Sequence, residues 1–153
     1  MNKKPHIKIL ILNWNGEKII KRCIESILKT DYDNFSIDVI DNGSKDKSIE
    51  IITNKYPKIK IHKINSNLGF SKGYNYAFKQ LHNSPFEYYL LLNNDTIISS
   101  DLLTNLYKNM LHYGEKNIFE TKINFTNTKK IWFSGGHYNK YSGFCKHIGL
   151  NMI

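Results

Sequence analysis

Arginine is almost missing from this chain: Arg22 stands alone against 21 lysines. Proteins that read phosphates and base edges lean on clustered guanidinium groups, which bond two oxygens at once. The net charge of +9 therefore does not point to nucleic acid, and no RNP-like aromatic pattern supplies that reading either. Taken with abundant Asn and Ile, the lysine excess is a compositional bias giving a solvated basic surface. It remains compatible with a weak, peripheral attraction to the cytoplasmic face of a membrane. Cysteine is scarce too. Cys23 and Cys145 lie far apart in no metal or redox spacing, so no disulfide framework is expected and a reducing cytoplasm fits. Cys23 falls on the apolar side of a helical pattern, where packing is the default role. No run of about 18 apolar residues exists to form a membrane span. The short apolar stretch of "MNKKPHIKIL" reads as a first strand, not a signal peptide. Repeats, low-complexity tracts and linkers are lacking, and 153 residues suit a single domain, 1–153.

What is present is an alternation. "IKILILN" (Ile7 to Asn13), "FSIDVID" (Phe35 to Asp41), "IKIHKIN" (Ile59 to Asn65) and Glu87 to Asn93 read as strands. Between and after them, Gly16 to Lys29, Lys45 to Tyr56, Ser71 to His82 and Ser99 to Tyr113 read as helices. Ser99 is expected as the cap of the last, with Asp101 in its first turn. After Tyr113 the pattern weakens. Asn117 to Phe125 and Lys130 to Ser134 look like strands, Ser134 to Gly136 like a turn, and His137 to His147 like a strand or an ordered loop. Strand–helix alternation implies an α/β fold whose mostly parallel sheet carries helices on both faces.

Ligands of such sheets gather at the carboxyl ends of the strands. Here those ends read "NWNG", "DNGSKD", "NSNLGFSKG" and "NNDT", all polar, small or acidic. Asp95 is either a turn residue or a cation ligand. With Asn93, Asn94 and Thr96 beside it, one carboxylate suffices for Mg²⁺ or Mn²⁺ if a diphosphate and water complete the shell, and such a cation neutralises charge on a departing diphosphate. Asp41 either opens a "DNG" turn or accepts hydrogen bonds from a nucleobase or ribose. Gly69, Lys72, Gly73 and Asn75 form a glycine-rich turn before a helix, able to meet phosphate through backbone N–H groups. This turn matches neither G-x-x-x-x-G-K-[ST] nor G-x-G-x-x-G, which disfavours a P-loop ATPase and an NAD enzyme. Trp14, between Asn13 and Asn15, either stacks on a base or packs beside the first helix, and packing is the expectation. No histidine shows ligand spacing. A receiver would need acids at the end of strand one, and a nucleotidyltransferase a glycine- and arginine-rich first loop; neither is present.

"ILNWNG", "DNGSKDKS", "NLGFSKGYNYAF" and "YLLLNNDT", in this order and spacing, resemble the family 2 glycosyltransferases of GT-A fold (Rossmann-like), most closely the rhamnosyltransferase-like bacterial enzymes that build surface polysaccharides. The likeness spans Ile7 to Tyr113 strongly and continues through "KIWFSGG". It implies inverting transfer of a sugar from a nucleotide-diphosphate donor to a hydroxyl of a glycan or lipid-linked acceptor, with a divalent cation as cofactor. It places Leu12, Asn13, Asn15, Asp41, Asn42, Gly43, Asn67, Gly69, Lys72, Asn75 and Asn94 at the nucleotide sugar, and Asp95 with Asn93 at the metal. Asn93 stands where the D-x-D-type motif has its first Asp. It also implies that 1–113 is the donor-binding core and that 114–153 begins the acceptor side, with the fold incomplete at its C-terminus. The general base is expected beyond Ile153, since Glu115 and Glu120 lie outside the expected motif. The competing expectation is an inactive remnant or a non-catalytic nucleotide-binding module.

Overall fold

The computed structural model describes residues 4–81, 88–114 and 117–153. The chain forms two compact units, Met1–Tyr107 and Lys108–Ile153. In the first, β1 (Ile7–Asn13), β2 (Phe35–Asn42), β3 (Lys60–Ile64) and β4 (Tyr88–Asn93) form a parallel sheet in the order β3-β2-β1-β4. Helices α1 (Ile20–Ile27), α2 (Ser48–Lys55), α3 (Phe70–Gln80) and α4 (Leu102–Tyr113) follow the four strands in turn.

Both faces of the sheet are covered, as side-chain alternation along the strands requires. Ile7, Ile9 and Ile11 of β1 and Ile37 and Val39 of β2 pack with Ile20, Ile24 and Ile27 of α1, Ile52 of α2 and Leu103 of α4. On the opposite face Leu10, Leu12, Ile40 and Ile64 meet Tyr74, Ala77 and Leu81 from α3 and its end. β1 is buried along its whole length, which accounts for its apolar stretch Ile9–Leu12, while its two polar residues, Lys8 and Asn13, are buried with polar partners. Ile9, Ile11 and Ile24 are wholly buried, each contributing about 1.5–3 kcal/mol relative to exposure. Truncating one, such as Ile24→Ala, costs about 2–5 kcal/mol.

Three polar side chains interrupt the α3 face. Lys8 Nζ donates to Asp38 Oδ1 at 2.8 Å, and His62 Nε2 lies 2.7 Å from Asp38 Oδ2. All three are buried. A carboxylate only accepts, so His62 Nε2 carries the hydrogen. Burial works against the Asp38 carboxylate, but the bonds and charges of His62 and Lys8 outweigh it and hold its pKa below the ordinary value.

Several boundaries depart from the sequence expectation. α1 begins at Ile20, not Gly16, because residues 17–19 make a turn in which Gly16 O accepts from both Ile19 N and Ile20 N. α2 begins at Ser48, where Asp46 Oδ1 accepts from both Ser48 N and Ser48 Oγ. α4 begins at Leu102, so Asp101 precedes the first turn and accepts from the Asn105 amide. Glu87 and His82, expected at element ends, lie outside the described residues, as does Glu115.

In the second unit, the strand expected over Asn117 to Phe125 shrinks to β5 (Ile123–Asn124), which pairs antiparallel with β6 (Ile131–Phe133). The turn expected through Gly136 ends a residue earlier, since Gly136 opens β7 (Gly136–Tyr138). β7 pairs with β8 (Cys145–His147) as an antiparallel hairpin. The stretch His137 to His147 is thus neither one strand nor one loop. Asn139 Oδ1, accepting from Tyr141 N and Ser142 N, turns the chain between the two strands.

Candidate functional site

Parallel pairing brings the strand ends to one rim. Asn13 lies opposite Asp41, and Leu12 opposite Asn93. β2 and β4 flank β1, so their ends stand about 10 Å apart, two strand spacings. Asp41 and Asp95, which follows β4 by two residues, therefore share one border of the sheet.

Asn13 holds this border together. Its side chain is wholly buried. Its Nδ2 donates to Ser48 Oγ at 3.0 Å and Ser44 Oγ at 3.2 Å, while its Oδ1 accepts from Asn94 Nδ2 at 2.9 Å. One amide thus joins the ends of β1, β2 and β4. Gly16 makes room for it, since a Cβ there would lie 2.2 Å from Asn13 Oδ1 and 2.5 Å from Asn94 Nδ2. The first and second loops also clasp each other. Ser44 Oγ accepts from Asn15 N, Asn15 Oδ1 accepts from Lys45 N, and Asp46 Oδ2 accepts from Glu17 N.

Asn42 plays the matching role on the other side. Its Nδ2 donates to Asn67 Oδ1 (2.9 Å) and Gly69 O (3.3 Å), and its Oδ1 accepts from Leu68 N (2.9 Å). This ties the third loop to β2. Gly43 links the two systems at φ +77°, where an added Cβ would meet the Ser66 backbone at 2.7 Å. Gly69 begins α3 at φ +79° with open space beside it.

The candidate residues thus divide by what their polar atoms are doing. Asn13, Asn42 and Asn94 spend their amides on the protein itself and shape the loops. Leu12 is buried beneath α3 beside Gly73, and Asn67 closes the third loop on Gly69 N. Asp41 is buried at the rim, with Oδ1 accepting from Ser44 N at 3.1 Å. Asn15, Asn93 and Asp95 are exposed at this border, while Lys72 and Asn75 are exposed within the first turns of α3 and Gly73 is buried there, so the turn expected before that helix ends at Gly69. Asn93 and Asp95 sit on a tight turn closed by Thr96 N donating to Asn93 O. Trp14 is 53% exposed, which corrects the expectation that it packs beside α1. The supporting residues Gly16, Ser44, Asp46 and Ser48 are not among the candidates that the sequence offers. Their signal was present as a glycine just past a strand and a D-x-S run before a helix.

Beneath the rim lies a buried thiol. Cys23 Sγ is 3.6 Å from Asn93 O, and its pKa is pushed up to about 12 by burial first and by the negative charge of Asp95 second. Among the described residues no three His, Cys, Asp or Glu side chains gather into a protein-only metal cage. Asp95 instead offers one exposed carboxylate beside the Asn93 amide, a set that suits a hard cation completing its shell with water and phosphate oxygens.

A family model described as glycosyl transferase family 2 matches residues 8–147. The chain is 32% identical over 110 residues to an uncharacterized glycosyltransferase of Haemophilus influenzae, covering 70% of this chain and 43% of that one. It is 26% identical over 126 residues to the poly-β-1,6-N-acetyl-D-glucosamine synthase of Staphylococcus aureus, covering 73% of this chain and 29% of that one. The chain spans less than half the length of these curated relatives. Among solved structures, S. aureus TarS 1-349 in complex with UDP-GlcNAc aligns with a TM-score of 0.62 at 19% identity, over 80% of this chain and 41% of that one. The mannosyltransferase PcManGT of Pyrobaculum calidifontis, in complex with GDP-Man and Mn²⁺, aligns with a TM-score of 0.60 at 17% identity, over 71% of this chain and 33% of that one. These likenesses give the α/β architecture its GT-A type.

Proposed function

The chain belongs to glycosyl transferase family 2, and from that premise we propose that it forms the donor-binding part of an enzyme that transfers a sugar from a nucleotide diphosphate to an acceptor hydroxyl. The observation that carries the reading is the border on which Asp41 and Asp95 stand, stitched together through Asn13. Asp41 meets the nucleoside with the carboxylate oxygen that Ser44 N does not occupy. Gly69, Lys72 and Asn75, at the start of α3, approach the same donor. Asn13, Asn42 and Asn94 act one step back by fixing the loops that carry these groups. UDP-GlcNAc and GDP-Man in the aligned structures support a nucleotide-diphosphate sugar as donor.

A divalent cation fits Asp95 and Asn93, with Mn²⁺ in one aligned structure as support. When bound, such a cation offsets negative charge on the diphosphate. The protein's own contribution is to hold the Asp95 carboxylate on a closed turn and to exclude solvent beneath it with Cys23 and Leu92, both buried. In this reading transfer inverts the anomeric centre, the acceptor is a glycan or lipid-linked glycan in a rhamnosyltransferase-like assembly of surface polysaccharide, and 114–153 begins the acceptor side. The general base that inversion requires is not assigned to any rim residue. A cytoplasmic location belongs to the same proposal, in keeping with two free thiols and a soluble nucleotide donor.

Calorimetric titration of UDP, dTDP and GDP, each with Mn²⁺ or Mg²⁺, tests this. At least one nucleotide is expected to bind in a cation-dependent manner, and Asp95→Ala is expected to abolish that dependence. Absence of binding by all three with either cation overturns the proposal.

A further inference from the structure

The second unit carries a feature that donor binding does not use. Residues 121–153 contain five lysines and no Asp or Glu. The β7–β8 hairpin gathers part of this charge with aromatic rings around one concavity of about 500 Å³, lined by His137, Tyr138, Lys140, Tyr141, Phe144 and Lys146. The rings point outward: Tyr141 is 89% exposed, Phe144 77% and Tyr138 67%. They are not on a loose tip. Asn139 N donates to Phe144 O and Gly143 N to Asn139 O, each at 2.9 Å, and the Asn139 side chain closes the turn from within. Lys140 Nζ lies 5.0 Å from the centre of the Tyr141 ring. Past β8, Leu150 and Met152 are exposed as well.

We propose that this hairpin is a docking surface for an anionic lipid bilayer, with Tyr138, Tyr141 and Phe144 entering the headgroup region and Lys140 and Lys146 facing acidic headgroups. The argument is charge complementarity joined to apolar exposure. Rings with a polar edge settle where water meets hydrocarbon, and lysines flank them with the ammonium in water. A segment with five lysines and no acidic side chain is drawn to negative lipid. Rings of this kind also stack on unpaired bases, but Leu150 and Met152, exposed in the same unit, gain nothing from a nucleic acid, and the chain lacks the arginines that read phosphates. No described helix is long and apolar enough to cross a membrane, so the contact is peripheral.

Sedimentation with vesicles tests it, using phosphatidylcholine alone and phosphatidylcholine mixed with phosphatidylglycerol. The chain is expected to pellet with the mixed vesicles, less with phosphatidylcholine alone, and less as salt rises. Lys140→Glu with Lys146→Glu is expected to weaken partitioning roughly tenfold or more. Tyr141→Ser with Phe144→Ser is expected to remove the binding that survives at high salt. All four side chains are exposed, so an unchanged melting temperature is expected and separates loss of docking from loss of fold. Phe144→Trp should gain a blue-shifted emission that brominated lipid quenches. Failure to pellet with phosphatidylglycerol vesicles, or equal pelleting of the charge-reversed variant, overturns the proposal. So does binding to a single-stranded RNA or a soluble oligosaccharide without binding to vesicles. Nucleotide titration reads a different surface, so the two proposals stand or fall separately.

Discussion

Asn94 Nδ2 donates to Asn13 Oδ1 at 2.9 Å across 81 positions of sequence, and this bond joins the turn that carries Asp95 to the strand beside Asp41. Since Asn13 is wholly buried, the bond is shielded from competing water. Its loss would leave polar groups that water does not readily reach.

Replacing Asn13 with Ala should therefore cost about 1–3 kcal/mol, the penalty for orphaned buried partners. Gly16→Ala should act on the same bond, because its Cβ would intrude on both amides. Urea unfolding of both single variants and the double variant checks this. The double variant should lose clearly less than the sum, as coupled neighbours do. Simple addition would show that the two residues do not share one network.

Two glycines with similar φ, +77° at Gly43 and +79° at Gly69, should differ in their tolerance of a methyl group. Gly69→Ala meets only the conformational cost of its extended positive-φ backbone, about 1–3 kcal/mol, since its surroundings are open. Gly43→Ala carries a positive-φ cost and also drives a Cβ to 2.7 Å from the Ser66 backbone, which cannot rotate away. The midpoint of denaturant unfolding should fall further for Gly43→Ala. Equal shifts would mean that the second and third loops separate freely.

The buried Lys8–Asp38–His62 cluster predicts a pH dependence. The folded-state pKa of Asp38 is depressed, so its stabilisation is present above the unfolded carboxylate value, about 4, and is lost as pH falls through the lower folded value. Asp38→Asn should cost about 3–5 kcal/mol near neutrality by breaking a buried ion pair. The difference from the parent should narrow in acid. Unfolding curves recorded for both proteins from neutral to acidic pH would expose a constant gap, which is incompatible with an ionised Asp38.

The two thiols should be separable by reagent. Cys145 is exposed, whereas Cys23 is buried with its pKa raised to about 12. Thiolate is the reactive form, so a disulfide reagent at mildly alkaline pH should titrate one thiol in the native chain and both after denaturation. Native reaction at Cys23 would show that the floor of the rim opens on the labelling timescale.

The parallel core was readable because β1 is apolar at five of its seven positions and its neighbours alternate with helical patterns. Rim residues were readable as polar strand ends, but their division of labour was not. Nothing in "NWNG" tells whether Asn13 faces a ligand or Ser44 and Ser48. That depends on Asn94, 81 positions away. Helix starts are not legible where a backbone carbonyl or a neighbouring carboxylate does the capping, as Gly16 O does before α1 and Asp46 before α2. The short strands of the second unit were blurred because mostly exposed strands of two or three residues carry no alternation to detect.

The charged cluster in the sheet has an effect at a distance. Asp38 precedes Asp41 by three residues on β2, about 10 Å along the strand, yet it polices the alignment of the rim. Sliding β2 by one position would turn Asp38 toward the isoleucines of α1 and strand a negative charge in hydrocarbon, while facing Asp41 away from its place next to Asn13. The misaligned sheet is penalised at one end of the strand for an error whose harm falls at the other.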